Sequence, residues 1–268
     1  NRPMQAKGEN KHMSQADKAQ AFADLHRKGD PVVLFNIWDA GSARAVADAG
    51  AKALATGSWS VAGAQGYGDG EALPLDMLEM IVKRITATSD LPLSVDFEGA
   101  YAAGPSGVGR NIARMIAAGA VGVNFEDQKV GGEGLYPVAK QAERISAARA
   151  AAEEAGLPFF INARTDIFLK DRETANHPRL IDEALARAKA YAEAGASGIF
   201  MPGLKTPELI RRAAEEISLP LNILIMPDVP APQELAELGV ARISYGPGPW
   251  RDMMVWVTEQ AAGIYRDS

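Results

Sequence analysis

The stretch VGVNFED at residues 121–127 is an apolar run that ends in two acids, and two others are built alike: LSVDFE at residues 93–98 and FFINARTD at residues 159–166. Each is typical of a short buried strand that ends in charged residues. If the three strands are parallel neighbours, their charged ends lie at one edge of a sheet. Isolated charges buried there would cost several kcal/mol each, so they must pair or bind a cation. The stretches therefore predict an acidic site centred on a metal ion.

Apolar runs of this kind alternate with amphipathic stretches from about residue 32 onward, and eight βα units can be counted. This alternation is typical of a parallel sheet covered by helices. Four glycines, Gly50, Gly119, Gly195 and Gly239, each close a helical stretch before a strand, where a left-handed residue costs glycine nothing. The predicted strands cover residues 32–37, 53–56, 93–96, 122–126, 159–163, 198–201, 221–225 and 242–244.

These signals predict an α/β fold, a (β/α)8 TIM-type barrel that occupies residues 14–268 as one domain, with a doubly wound open sheet as the alternative. Residues 1–13 are polar, lack the apolar core of a signal peptide, and are predicted to be a disordered lead or an expression-vector remnant. The sequence SQAD at residues 14–17 indicates a capping box. It opens a helix whose inner face, with Phe22 and Leu25, is expected to close the bottom of the barrel.

An apolar stripe follows the last predicted strand and indicates a terminal helix. It consists of Trp250, Met253, Met254, Val257, Ala261 and Ile264. One interpretation is that the stripe packs against the barrel. The other is that it covers a neighbouring subunit, because tryptophan and methionine are enriched at interfaces.

The composition excludes several classes of protein. With no cysteine among 268 residues, disulfides, thiolate zinc sites, iron–sulfur clusters and a cysteine nucleophile are excluded. Three histidines leave little material for an imidazole site, so oxygen ligands remain. The net charge of −6 and the lack of a basic cluster with interleaved aromatics argue against a nucleic-acid partner. No apolar run is long enough to cross a membrane, so we expect no membrane partner and, by default, a cytoplasmic location.

Four acids are the candidate metal ligands. Asp96 and Glu98 have an i, i+2 relation at a strand end, so both point to one side, and Glu126 ends the adjacent strand at the same depth. Asp69 lies in a glycine-rich loop and can supply a fourth oxygen. Such a set repels itself unless a divalent ion neutralises it, and oxygen ligands select Mg²⁺ or Mn²⁺. The alternative is that each acid caps a helix or pairs on the barrel rim.

Arg164 is the candidate substrate-binding residue, because its planar fork suits a carboxylate. A pair with Asp166 or Glu126 is the structural alternative, and Asp127 and Asp166 are expected to be structural. A divalent ion beside an arginine suits a 2-oxo acid, whose enolate the ion would stabilise as a bond to the α-carbon breaks. Retro-aldol cleavage, decarboxylation and tautomerisation share that chemistry.

Three long, glycine-rich loops follow predicted strands and are expected at the catalytic face of the barrel. They cover residues 57–72, 99–109 and 129–136. The run GYGDG at residues 66–70 lacks the spacing and the following helix of a nucleotide-binding fingerprint.

Six motifs, taken in order, resemble those of the isocitrate lyase/phosphoenolpyruvate mutase superfamily, from about Asn36 to the C-terminus. They are NIWDAGSAR at 36–44, TGS at 56–58, GYGD at 66–69, VDFEG at 95–99, VNFED at 123–127 and NARTD at 162–166. The resemblance implies an α/β barrel with a swapped C-terminal helix, a dimer or tetramer, and a Mg²⁺ site for 2-oxo acids or their aldol adducts.

The resemblance also implies roles for single residues. Asp96 would be the direct metal ligand, with Asp69, Glu98 and Glu126 as water-mediated ligands. Arg164 would bind the substrate carboxylate together with the backbone of the turn at residues 57–58, which is Gly57 and Ser58.

The chain departs from the family pattern at two places. Carbon–carbon lyases of the family carry a Lys-Lys-Cys-Gly-His loop whose cysteine is the general acid, whereas residues 128–135 here read QKVGGEGL. Members of the mutase branch often have a histidine after the sixth strand, where this chain has Pro202 and Gly203. The chain thus resembles a cysteine-lacking, phosphoenolpyruvate mutase-like branch.

Three functions follow from these residues. The leading hypothesis is a Mg²⁺-dependent lyase or decarboxylase that acts on a small 2-oxo or 2-hydroxy dicarboxylic acid. Its proton donor is left open among Tyr67, Tyr101, Lys129 and Glu133. Phosphorus–carbon chemistry of the mutase or hydrolase type is the second hypothesis, and a catalytically silent 2-oxo acid-binding protein is the third.

Overall fold

The computed structural model describes residues 13–266, and its strands form one parallel sheet rolled into a barrel. Their order is β1-β8-β7-β6-β5-β4-β3-β2. An isolated parallel bridge between Ile37 and Thr56 nearly closes the gap between β1 and β2. The strands are β1 Val32–Leu34, β2 Leu54–Ala55, β3 Leu93–Asp96, β4 Gly122–Glu126, β5 Phe160–Arg164, β6 Gly198–Phe200, β7 Leu221–Leu224 and β8 Arg242–Ser244.

The barrel prediction is therefore confirmed, and the open sheet is not. The predicted strands lie where the structure has them, but β1 ends three residues early, β2 is one residue shorter at each end, β5 is shifted by one residue, and β6 and β7 each end one residue early. The pairing between β1 and β2 is reduced to the hydrogen bonds on either side of Ile37, whose N–H donates to Ala55 O at 2.8 Å. All but the last residue of the predicted disordered lead, 1–13, lies outside the described residues.

Helices fill the intervals between strands, and the glycines predicted to end four of them have positive φ. Gly50, Gly119, Gly195 and Gly239 have φ of 96°, 96°, 99° and 90°. The α-helices are α1 Gln15–Asp24, α2 Ala40–Asp48, α3 Ser58–Ala64, α4 Leu75–Thr88, α5 Pro105–Ala117, α6 Val138–Glu154, α7 Ile167–Lys170, α8 His177–Glu193, α9 Pro207–Glu216, α10 Pro232–Glu237 and α11 Gly248–Arg266. The segment 57–72, expected to be a loop, contains α3.

Helix α1 closes the amino-terminal end of the barrel. The predicted capping box is present, because Ser14 and Asp17 exchange side-chain and backbone hydrogen bonds. Phe22 is fully buried and meets the ring of Phe160 edge-on at 5.5 Å, and His26 stacks on the same ring at 4.0 Å. These contacts fill the bottom of the barrel and leave its carboxyl end open.

Helix α11 leaves the barrel with most of its apolar side chains exposed. Trp256 is 57% exposed and Ile264 is 68% exposed, whereas Trp250 packs where a side chain on Gly63 would otherwise lie. Packing of the whole stripe against the chain's own barrel is therefore not observed. Among the described helices, none is long and apolar enough to cross a membrane. The cytoplasmic location stays a prediction.

Candidate functional site

The charged ends of β3, β4 and β5 meet at one edge, as the sequence predicts. Asp96 is in register with Asn124, and Glu126 with Arg164. The carboxyl end of the barrel holds a cavity of about 510 Å³. Its wall includes five of the predicted metal- and substrate-binding residues, namely Ser58, Asp69, Glu98, Glu126 and Arg164, but not Asp96 or Gly57.

Asp96 is fixed by hydrogen bonds on both carboxylate oxygens. Its Oδ2 accepts the N–H of Ser58 at 2.9 Å, and its Oδ1 accepts from Nδ2 of Asn124 at 3.3 Å. Asn124 is oriented in turn, because its Oδ1 accepts from Asn162 at 2.9 Å and from the buried Arg242 at 3.1 Å. The barrel interior thus determines which way the Asp96 carboxylate faces.

The backbone N–H groups of the turn at residues 57–58, expected to bind a substrate carboxylate, donate to other residues of the chain in this structure. The N–H of Gly57 donates to Ile37 O at 3.2 Å, and that of Ser58 donates to Asp96. The hydroxyl of Ser58 donates to Oδ1 of Asp69 at 3.1 Å. This contact brings the Asp69 loop to the site, where burial, and then the charge of Asp96, raises the pKa of Asp69.

Two further carboxyl groups are buried beside it. Glu98 is 6% exposed and Glu126 is 4% exposed. Burial, followed by the charges of Asp69 and Asp96, raises the pKa of Glu98 to about 8. Burial also raises the pKa of Glu126 well above its usual range, although the guanidinium of Arg164 opposes this shift. The charge of Arg164 therefore does not offset the cost of ionising these buried acids. A divalent ion would supply the additional positive charge.

Arg164 contacts three acids at once. Its Nη2 donates to Oδ2 of Asp166 at 2.9 Å, and its Nη1 lies 3.1 Å from Oε2 of Glu126 and 4.0 Å from Oδ1 of Asp96. The structural pairings expected as alternatives are thus both present. Because Asp166 also binds Nε, the Nη1 edge is the part of the fork turned toward the acid cluster.

Asp127 and Asp166 hold this arrangement together, and Asp166 itself lies in the cavity wall. The fully buried Asp127 accepts the N–H of Asp166 at 3.1 Å. It also accepts the hydroxyl of Tyr191 at 2.8 Å and pairs with Arg187 at 3.1 Å. Helix α8 therefore anchors Asp127, which in turn holds the backbone of Asp166, the acid that orients Arg164.

The donor set suits magnesium held mainly through water. Among residues 13–266, no three carboxylate or imidazole groups converge as direct ligands of one ion. The nearby donors are carboxylate oxygens, and Mg²⁺ usually keeps several waters and takes only one or two carboxylates directly. The four predicted acids thus do not form a fully protein-built cage, and their roles as metal ligands stay a prediction.

The far wall of the cavity was not predicted from the sequence. It is formed by α7 and by the loops after β6 and β7, and its charged members are Lys170, Arg172 and Lys205, with the buried His177 close by. Gly203, at φ 88°, allows this wall to form, because a Cβ there would lie 3.0 Å from the backbone of Phe168. The one sequence feature that pointed to this wall was the pair Pro202 and Gly203, which follows the sixth strand where mutase-like members often have a histidine.

Four residues were considered as proton donors, and none of them lines the described cavity. Tyr101 is half-buried, and burial raises the pKa of its phenol. Tyr67 is exposed. Lys129 and Glu133 lie in the segment 129–136, where the N–H of Lys129 donates to Gly134 O at 3.1 Å.

The protein thus belongs to the class of α/β barrels with an acidic cavity at the carboxyl ends of the strands. The model of the phosphoenolpyruvate phosphomutase family matches residues 22–265, and the chain belongs to that family. The superfamily inferred from the sequence motifs is thereby confirmed.

Known relatives have diverse names. The chain is 33% identical over 230 residues to an uncharacterized protein of Mycobacterium tuberculosis, covering 86% of this chain and 83% of the relative. It is 29% identical over 215 residues to 2-methylisocitrate lyase of Escherichia coli, covering 78% and 70% respectively.

Solved structures agree on the fold. A Burkholderia cenocepacia protein, provisionally described as a phosphonomutase, has 47% identity and a TM-score of 0.90, covering 95% of this chain and all of its own. Phosphonopyruvate hydrolase in complex with oxalate and Mg²⁺ has a TM-score of 0.82 at 23% identity, covering 93% and 86%, which supports the fold alone.

Proposed function

We propose that this protein is a Mg²⁺-dependent lyase or decarboxylase that acts on a small 2-oxo or 2-hydroxy dicarboxylic acid. The observation that carries the proposal is the pair Glu98 and Glu126. They are buried with raised pKa beside Asp96, in a cavity whose wall also holds an arginine. Such carboxyl groups are stable as anions only near a cation, and a keto acid beside that cation is suited to losing a bond at its α-carbon.

The residues have the following proposed roles. Asp96 binds the metal directly, and Asp69, Glu98 and Glu126 hold its water ligands. When bound, Mg²⁺ would supply positive charge to the keto and carboxylate oxygens of the substrate. Arg164 binds the substrate carboxylate through its Nη1 edge, and Asp166 keeps the guanidinium in that orientation.

The cationic far wall supports a substrate with two acidic groups. Lys170, Arg172 and Lys205 line this wall. The carboxylates of the same cavity are Asp69, Glu98 and Glu126 on the opposite side, and Asp166, which pairs with Arg164. Among the described residues, the ion-pair partner of Lys205 is the exposed Asp228, at 3.7 Å. A distal carboxylate of the substrate can therefore reach cations that are not neutralised inside the cavity.

Oxaloacetate with Mg²⁺ is the direct test. We expect the wild type to release pyruvate and Asp96→Ala to lose at least 100-fold of that rate, since second-sphere changes alone cost 10–100-fold. Asp48→Ala, which removes an exposed acid at the end of α2, is the matched control. Equal rates in wild type and Asp96→Ala would refute the proposal.

Phosphorus–carbon chemistry is the second candidate function. The family match to phosphoenolpyruvate phosphomutase favours it, and the same acids and arginine suit phosphonopyruvate. Phosphorus NMR of phosphonopyruvate incubated with protein and Mg²⁺ separates it from the leading proposal. An unchanged spectrum excludes it.

A catalytically silent binding protein is the third candidate. The observation that favours it is that none of the four candidate proton donors lines the described cavity. Calorimetry with pyruvate and with oxalate tests it. Tight binding without turnover of any 2-oxo acid would support it, and turnover would exclude it.

We also propose that the protein is a homo-oligomer built on a dimer. Outside β1 lies a groove of about 760 Å³ that includes the exposed Val33 and Phe35. In the same chain α11 presents exposed Trp256 and Val257. An uncovered apolar groove and an uncovered apolar helix complement each other between two copies, and exposed patches of this kind mark interfaces.

A further inference from the structure

A run of backbone in an unusual conformation presents Glu98 to the cavity. Glu98, Ala100 and Tyr101 have φ of 49°, 61° and 53°, and Glu71, across from them, has φ of 57°. None of the four is glycine. Residues with side chains rarely adopt this conformation, so the surrounding contacts must hold it.

Arg144 supplies part of that support from α6. Its Nη2 donates to Gly99 O at 2.7 Å and to Ala102 O at 3.0 Å. Arg144 is 1% exposed, and its guanidinium carbon lies 4.8 Å from the ring centre of Phe125 and 4.2 Å from that of Tyr136. A buried arginine in contact with two rings is therefore directed at two carbonyls of the same turn.

Glu71 ties the opposite loop to this turn. The N–H of Glu71 donates to the carboxylate of Glu98, and Oε1 of Glu71 accepts the N–H of Tyr101 at 2.7 Å. Gly99 leaves room for this exchange, because a Cβ there would lie 3.0 Å from Oε1 of Glu71. Since Glu71 follows Asp69 by two residues, the exchange also places the Asp69 loop.

We propose that Arg144 and Glu71 are positioning residues that clamp the turn at residues 98–102 and thereby hold Glu98 and Asp69 at the metal-binding edge of the cavity. The consequence for metal affinity rests on the proposed function, whereas the clamp itself does not. Arg144 makes one other described side-chain hydrogen bond, to Gln141 on its own helix, so its contacts outside α6 are with the turn and the two rings.

The test compares Arg144→Met and Glu71→Ala with Arg149→Met. Arg149 is a matched control on the same helix, because it donates to Gly195 O at 2.9 Å and to Ser197 Oγ at 2.8 Å, away from the cavity. Amide hydrogen exchange of peptides spanning residues 66–73 and 98–104 is measured without metal. Mn²⁺ affinity is measured by electron paramagnetic resonance, and the thermal midpoint of each variant is recorded.

We expect faster exchange in both peptides and about tenfold weaker Mn²⁺ binding for Arg144→Met and Glu71→Ala. Arg149→Met should lower the thermal midpoint while leaving exchange in these peptides and Mn²⁺ affinity unchanged. Unchanged exchange in both site variants would overturn the clamp, and Mn²⁺ affinities equal to that of the control would overturn its role in holding the metal-binding acids. Should the wild type bind no Mn²⁺, the proposed metal site fails, and the exchange data alone decide whether the clamp exists. Glu71→Ala keeps the test decisive if Arg144→Met does not fold.

Discussion

Glu98 is the residue whose protonation should be visible in the stability of the metal-free protein. In the folded chain its pKa is about 8, whereas its ordinary value is 4.5. The folded state therefore holds this proton more tightly than the unfolded state does. The stability that it confers is complete below pH 4.5 and is lost as the pH rises through about 8.

We accordingly predict that Glu98→Gln removes a pH dependence. The amide can still accept the N–H of Glu71, but it carries no charge at any pH. In metal-free protein the thermal midpoint of the variant should exceed that of the wild type at pH 9, and the two should agree more closely at pH 6. Thermal denaturation at both pH values checks this, and parallel curves for the two proteins would contradict it.

Lys205 is the residue whose removal should alter specificity. Lactate and malate are both 2-hydroxy acids, and malate adds a distal carboxylate. If Lys205 meets that group, Lys205→Met should weaken malate binding about tenfold, the usual order for a lost bond to a charged group, and leave lactate unchanged. Calorimetry with Mg²⁺ measures both ligands. Lys189→Met, which removes an exposed lysine of α8, is the control, and an equal loss for both ligands would argue against a distal subsite.

At the scale of the element, the loop between β6 and α9 depends on Gly203. Its φ of 88° disfavours any side chain, and a Cβ would lie 3.0 Å from the backbone carbon of Phe168 and 3.1 Å from the amide nitrogen of Leu169. We predict that Gly203→Ala costs about 1–3 kcal/mol of unfolding free energy. Urea denaturation measures the loss. Gly248→Ala, with open space around its Cβ, should change stability by less than about 0.5 kcal/mol, and equal effects would refute the argument.

The strands and their acids were predictable because the information is local. Buried parallel strands are continuous apolar runs, so Gly122–Glu126 could be identified with its exact bounds, and the charges at its end followed directly. The far wall could not be predicted, because Lys205 and Arg172 lie on separate loops, and tertiary packing, such as that of Gly203 against α7, brings them to one cavity.

The clamp on the turn at residues 98–102 was missed for a similar reason. Arg144 lies in the middle of α6, and its two carbonyl acceptors are more than 40 residues away. Positive φ at Glu98 and Tyr101 leaves no trace in the sequence, because neither residue is glycine. Tertiary contacts, and not local preference, determine that turn.

At the scale of the whole molecule, the exposed face of α11 predicts a dimer whose loss can be engineered. Trp256 is 57% exposed and Phe35, on the groove outside β1, is 46% exposed, so each is an uncovered apolar anchor. Replacing a buried aromatic anchor typically costs at least 2 kcal/mol of binding energy, about 30-fold in affinity, and a carboxylate adds a desolvation penalty. Trp256→Glu and Phe35→Glu should each shift the wild-type dimer or tetramer toward monomer in sedimentation velocity, whereas Gln260→Glu, on an exposed position of the same helix, should not. A wild type that sediments as a monomer at micromolar concentration would show that α11 is left uncovered, and retained assembly in both glutamate variants would place the interface elsewhere.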